Sequence, residues 1–354
     1  MSFIFNKKFT NNIFIYFLCF FSISIFLEIL IFKYPSSSLD GSWHYYMSYA
    51  FLEKLNFTSQ IIFTYGPLGM LHAKTYIPDI FEPYIVLQLI LVSTYSLVLF
   101  EFLVKKNFEK YFIILLMTFF LKSEVGYFIF YIIFYENFKI RKKFITRDYL
   151  AIIPIFIFPL VKTVFIIPSS ILFAFLIFIN RGIKKTIIFS SISFLYLILI
   201  WKYANQDPLS LYNYIFNFYL ILDGYSENLS LIGSYYEILI SIAFLIFIFI
   251  VLIKKNFNYL DIIFYYLIFF LLFKTGFVRH DGHAVKFFCF ILFFVIVLFS
   301  IRQKLTMVLV FLTSLAYYSS LLNHNLDNIL KDRFYNIGRT IISGSNALFN
   351  NKSY

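Results

Sequence analysis

Apolar residues in this chain come in long runs bounded by short charged stretches. The run 13–32, IFIYFLCFFSISIFLEILIF, is long enough as a helix to cross a hydrocarbon core of about 30 Å. Further runs occupy 83–104, 186–201, 237–253, 258–273, 285–301 and 305–322. Between 111 and 179 the runs shorten: 111–121 and 127–138 flank Lys122-Ser123-Glu124, and 149–161 and 163–179 flank Lys162-Thr163. Each short run spans only about 17 to 26 Å as a helix. Joining each pair into one span would push KIRKKFITR, residues 139–147, to the outer side, against the positive-inside bias. Two helical hairpins avoid this. The pattern predicts an all-α, polytopic integral membrane protein with about eleven membrane segments, including the two short hairpins. A single membrane domain covers 1–322, and 323–354 forms a short polar tail with a surface helix.

Composition agrees with this reading. Of 354 residues, 61% are hydrophobic and only 14% charged, too little polar surface for a soluble domain. The Phe-rich stripes are read as lipid-facing filler, and Cys19 and Cys289 as small hydrophobes within apolar segments. The net charge of +12 would suit nucleic acid, but its distribution points to topology instead, and no nucleic-acid partner is expected. With the N-terminus inside, 17 of the 30 Lys and Arg lie in the N-terminal segment and in loops 105–110, 139–147, 181–185, 254–255 and 302–304. The first outer loop, 33–82, holds only Lys33, Lys54 and Lys74. Lys7 and Lys8 precede the first run, and no small-residue cleavage pattern follows it, so it reads as an uncleaved signal anchor. The expected location is a bacterial plasma membrane, with the N-terminus cytoplasmic and the C-terminus extracytoplasmic.

This topology gathers the unusual residues on the outer side. Three outward-going segments end alike, in Phe-Leu-Lys122-Ser, Leu-Val-Lys162-Thr and Leu-Phe-Lys274-Thr. Each lysine either snorkels to the headgroups or lines a cationic site for an anionic ligand such as a lipid phosphate; the recurrence favours the site. RHDGH, residues 279–283, is the densest polar cluster. Arg279 suits bidentate anion binding, Asp281 can orient a histidine, and His280 and His283 stand at a metal-ligand or proton-transfer spacing. FTYGPLG, residues 63–69, is a Gly-Pro turn whose Tyr65 suits either an interface belt or the same cavity. Glu28, near the outer end of the first run, is a further cavity candidate, because intramembrane acids rarely face lipid.

The remaining feature is SSSLDGSWHYYMSYAFLEK, residues 36–54. Asp40 fits an N-cap for a helix carrying Trp43, His44, Met47 and Ala50 or Phe51 on one face. It also opens a pattern of Asp40, Trp43, Tyr46, Ala50 and Leu52, followed by Tyr65-Gly66-Pro67-Leu68. This arrangement resembles the GT-C superfamily of membrane glycosyltransferases. It is also similar to a group of bacterial polytopic membrane proteins with an Asp-x-x-Trp start, FTYGPLG and a late Arg-His-Asp cluster. The match covers residues 13–83 best; over the rest it extends only to the span pattern.

The resemblance implies transfer of a sugar from a polyprenyl-phosphate donor to a glycan, lipid or protein acceptor at the extracytoplasmic face. Asp40 would be the general base. Lys122, Lys162, Lys274 and Arg279 would bind the donor phosphate. Glu28, Trp43, His44, Tyr65, His280, Asp281 and His283 would line the substrate cavity. Many relatives carry a second acid where this chain has Gly41, so no metal and no other cofactor is expected. Membrane lipids are the remaining partners. Two other classes stay open: a lipid or solute transporter or flippase, expected to hold polar groups near the bilayer midplane, and a non-catalytic partner in envelope polysaccharide assembly.

Overall fold

The structure is a computed structural model that describes residues 7–29, 32–33, 35–36, 38–106, 109–120, 123–180, 182–228, 230–299 and 303–324, with positions 335 and 338. Among the described residues the chain is helical, with only isolated β-bridges. The helices are α1 (Lys7–Leu27), α2 (Leu39–Leu52), α3 (Met70–Ala73), α4 (Phe81–Val104), α5 (Glu109–Phe120), α6 (Ser123–Arg141), α7 (Thr146–Ala151) and α8 (Ile153–Val161). They continue with α9 (Ile166–Ile179), α10 (Ile183–Tyr203), α11 (Leu211–Asn228), α12 (Tyr235–Lys254), α13 (Tyr259–Phe277), α14 (Ala284–Leu298) and α15 (Lys304–Asn323). Among the described residues, five helices are long and apolar enough to cross a membrane: Pro78–Val104, Ile183–Tyr203, Tyr235–Lys254, Tyr259–Phe277 and Leu305–Asn323. They mark the chain as a helical membrane protein.

The short runs flanking the two lysine tips hold the centre of the bundle. α6 is buried from Val125 to Tyr135 and packs against α4, α9 and α14. α14 is likewise buried along almost its whole length. A helix apolar on every side belongs inside a bundle, whereas the longer α10 and α12 turn most of their apolar surface outward.

The second hairpin, α8 and α9, has a local cause for its shape. Pro159 lacks the N–H that would bond the Ile155 carbonyl, and the Ser169 hydroxyl on α9 donates to that carbonyl instead, at 2.8 Å. Ser169 also pairs with Tyr131 of α6 at 2.9 Å, which fastens the hairpin to the central helix.

Charges collect at the two ends of α6, about 25 Å apart along its axis. At the Arg141 end, Arg141 contacts Asp148 at 2.7 Å and Glu101 at 3.1 Å, and Arg147 reaches Glu101 at 3.0 Å. Lys139 joins Glu136 at 2.5 Å and Asp261 at 3.6 Å. Three basic residues of the 139–147 loop are therefore ion-paired staples between α4, α6, α7 and α13. At the other end of α6 lies Glu124.

Candidate functional site at the Glu124 end

Three segments distant in sequence are stitched together at this end. Ser38, extended at φ −69° and ψ 158°, caps α2 by accepting from the Gly41 N–H at 3.1 Å. Ser38 therefore takes the N-cap position that the sequence suggested for Asp40. Asp40 sits in the first turn, exposed, and accepts the Trp43 indole N–H at 3.1 Å. Gly41 lies so close to Ser36 that a Cβ would stand 1.9 Å from its hydroxyl oxygen and 2.7 Å from its carbonyl oxygen. A second acid beside Asp40 would require that backbone to move.

The Phe63–Gly69 turn lies against the α8–α9 tip. Thr163 N–H donates to Thr64 O at 3.0 Å, Gly66 N–H to Val161 O at 3.3 Å and Leu68 N–H to Leu160 O at 2.8 Å. These bonds carry Tyr65 to the middle of the assembly. Its ring stacks on Trp43 at 4.5 Å, meets His72 at 5.0 Å and underlies the Lys162 ammonium at 5.1 Å. Such a cation over an aromatic face contributes about 0.5–2 kcal/mol.

Lys162 pairs with Glu124, and Lys286 of α14 reaches the other oxygen of the same carboxylate at 2.5 Å. All three side chains are about four-fifths buried. Two ammonium groups on one carboxylate leave a net single positive charge in a desolvated setting, where an arriving anion is attracted strongly. His72 borders the trio. Burial pushes its imidazole down to about 3, Lys162 adds to the shift, and Glu124 only partly opposes it, so His72 is neutral.

Compared with known proteins, this chain matches no family model, no curated protein and no solved structure.

The other predicted residues divide. Glu28 turns to Lys74, with which it pairs at 2.8 Å, and closes the end of α1 onto the first loop. His44 lies against Trp43 with ring centroids 3.8 Å apart; burial and Lys33 hold its pKa below the usual value. Asp281 accepts from Arg279 Nε at 2.8 Å and pairs with His283. Burial works against the Asp281 carboxylate, but the His283 backbone N–H and imidazole and the Arg279 charge hold its pKa below the usual range. Burial, then Lys286, lowers His283, which ties this pair electrostatically to the trio. His280 points elsewhere, to Glu237 at 2.7 Å, so the two histidines of RHDGH do not share a ligand. Lys274 is exposed at the end of α13, and Lys122 lies outside the described residues.

Three members escaped the sequence analysis. In the sequence Glu124 is visible only as part of a hairpin tip, and Lys286 and His72 belong to no motif. Lys286 follows His283 by three positions, so one helical turn already sets it beside RHDGH. Beneath the turn lies an apolar groove of about 460 Å³ between α8, α9, α10 and α11, bordered by Pro159, Leu160, Phe173, Phe194 and Tyr214. Leu160 stands two residues before Lys162, so one wall of the groove lies next to the charged tip.

Proposed function

We propose that this chain is a GT-C-type glycosyltransferase with about eleven membrane segments, acting at the extracytoplasmic face of a bacterial plasma membrane. It moves a sugar from a polyprenyl-phosphate donor to a cell-envelope glycan, lipid or protein. The observation that carries the reading is the seating of the Asp40–Trp43–Tyr65 stack on the Lys162–Glu124–Lys286 trio.

Asp40 takes the proton of the acceptor hydroxyl as its oxygen bonds to the anomeric carbon. The bond from that carbon to the phosphate oxygen breaks, its electron pair leaves with the polyprenyl phosphate, and the anomeric configuration inverts. Lys162 and Lys286 stabilise the charge gained by the leaving phosphate, and Arg279 and Lys274 guide it from the rim. Trp43 fixes the Asp40 carboxylate through its indole N–H, and the groove beside Leu160 takes the isoprenoid chain. A transporter is disfavoured by α6, which carries no charged residue between Glu124 and Glu136.

The test compares wild type with Asp40→Asn for complementation of a cell-surface glycan defect, at matched protein accumulation. Transfer should fall about 10²–10⁴-fold. Full activity in the variant overturns the base assignment and favours a non-catalytic assembly role.

A further inference from the structure

Away from the proposed transfer site, a second polar cluster is built from three separate elements. Glu237 lies in the first turn of α12, His280 in the loop between α13 and α14, and His324 at the C-terminal end of α15. Glu237 is 3% exposed and His280 5% exposed, while His324 is partly buried. Both imidazole Nε2 atoms face the same carboxylate oxygen, Glu237 Oε2, at 2.7 Å from His280 and 3.1 Å from His324. Three ligand atoms, one from each residue, lie within 4.8 Å of one another.

Two further observations separate this cluster from a plain ion pair. Glu237 Oε1 and Ser320 Oγ, one turn before His324, are both buried; the serine hydroxyl stands beside the carboxylate, and neither atom has a well-aligned hydrogen bond to any other group among the described residues. A buried carboxylate oxygen left bare costs free energy unless a cation or a donor meets it. The His280 ring is also held in place. A Cβ on Gly233 would stand 2.1 Å from its Cγ, and Phe277 meets it edge-on at 5.0 Å. The ring is thus held fixed between glycine backbone and an aromatic edge, with Nε2 aimed at the Glu237 carboxylate.

We propose that Glu237, His280 and His324 bind a first-row divalent cation of the zinc class. Two imidazoles and one carboxylate match the nitrogen and oxygen donors that zinc accepts. Tetrahedral bonds of about 2.0–2.1 Å place ligand atoms roughly 3.3 Å apart, so the carboxylate oxygen must withdraw from each ring by less than about 1 Å, and ligand atoms that now lie within 4.8 Å of one another must close toward that spacing. Ser320 Oγ or a water completes the fourth position. The role is structural: the ion fastens together the ends of α12 and α15 and the α13–α14 loop. α12, which packs chiefly on α13, gains most from such a staple. This inference does not depend on glycosyl transfer.

The experiment uses the full chain in detergent, purified without a polyhistidine tag, stripped with chelator and reloaded with Zn²⁺ alone. Wild type should retain about one zinc per chain and melt at a higher temperature with zinc than without. Co²⁺ in its place should give the visible absorption of a tetrahedral nitrogen and oxygen site. His324→Gln, at the partly exposed edge, should lose both the stoichiometric metal and the melting shift. Should that variant not fold, the wild-type Co²⁺ spectrum decides. Folded wild type that keeps no metal and shows no Co²⁺ band has an ion pair only, and the proposal is then overturned.

Discussion

Gly66 has no room for a side chain, since a Cβ there would lie 2.3 Å from the Tyr214 hydroxyl oxygen and 2.5 Å from the Leu160 carbonyl. Gly66→Ala should push the turn off the α8–α9 tip and cost about 1–3 kcal/mol, read as a lower melting temperature together with reduced transfer. His72 sets a second expectation at this scale. Its folded pKa of about 3 lies below the unfolded value of about 6.5, so the unfolded chain binds the extra proton between these limits. Its contribution is intact above about pH 6.5 and is lost progressively as the pH falls toward 3. Wild type should therefore lose more thermal stability on acidification than His72→Gln; parallel pH profiles of melting temperature would remove this role. Asp40 shows the limit of reading a single residue: its helix start was evident, but Ser38 performs the capping and frees the Asp40 carboxylate to hold Trp43.

At the scale of elements, the strongest coupling runs through Glu124. Glu124→Gln leaves Lys162 and Lys286 facing each other without a counter-charge, and loss of one partner from a buried ion group costs on the order of 3–5 kcal/mol. Adding Lys286→Met should recover part of that loss, so the double variant is more stable than the sum of the singles. Additive losses in thermal melts would show that the trio is not coupled. The apolar runs predicted between 111 and 179 are helical over their described residues; α8 and α9 pack as a hairpin whose tip carries Lys162, whereas α5 packs on α1 and α14, and Glu124 lies in the first turn of α6. The region 202–236, which lies between two of the predicted apolar runs, contains α11. Leu211, Tyr214 and Phe218 at helical spacing were the available signal, obscured by the polar Asn213, Asn217 and Asp223. The exposed face of α11, with Tyr212, Phe216 and Tyr219, suits the membrane interface.

At the scale of the whole molecule, the two charged ends of α6 make the topology testable. Cys19 and Cys289 are buried, which leaves the natural chain a silent background for thiol labelling. Ser59→Cys, exposed at the Glu124 end, should react with an impermeant maleimide in intact cells whose outer barrier admits the reagent. Lys143→Cys, exposed at the Arg141 end, should react only after the plasma membrane is opened. Labelling of both from one side would refute the proposed orientation. The basic residues of 139–147 also have a structural role, because Lys139, Arg141 and Arg147 are anchored to acids on neighbouring helices.

Composition and run length by themselves determined that the chain is helical and built for a membrane, because burial of apolar backbone without water requires internal hydrogen bonding and a minimum length. They also located the turn at Gly66-Pro67 and the helix beginning near Asp40, both local consequences of backbone chemistry. Which charges meet was decided only by tertiary structure. Glu124 finds Lys162 and Lys286 across 38 and 162 positions, and His280 finds Glu237 and His324 rather than its neighbour His283. Ion pairing and ligand geometry depend on distances of a few ångströms between helices, and those distances follow from how α6, α8, α12, α14 and α15 pack, not from spacing along the chain.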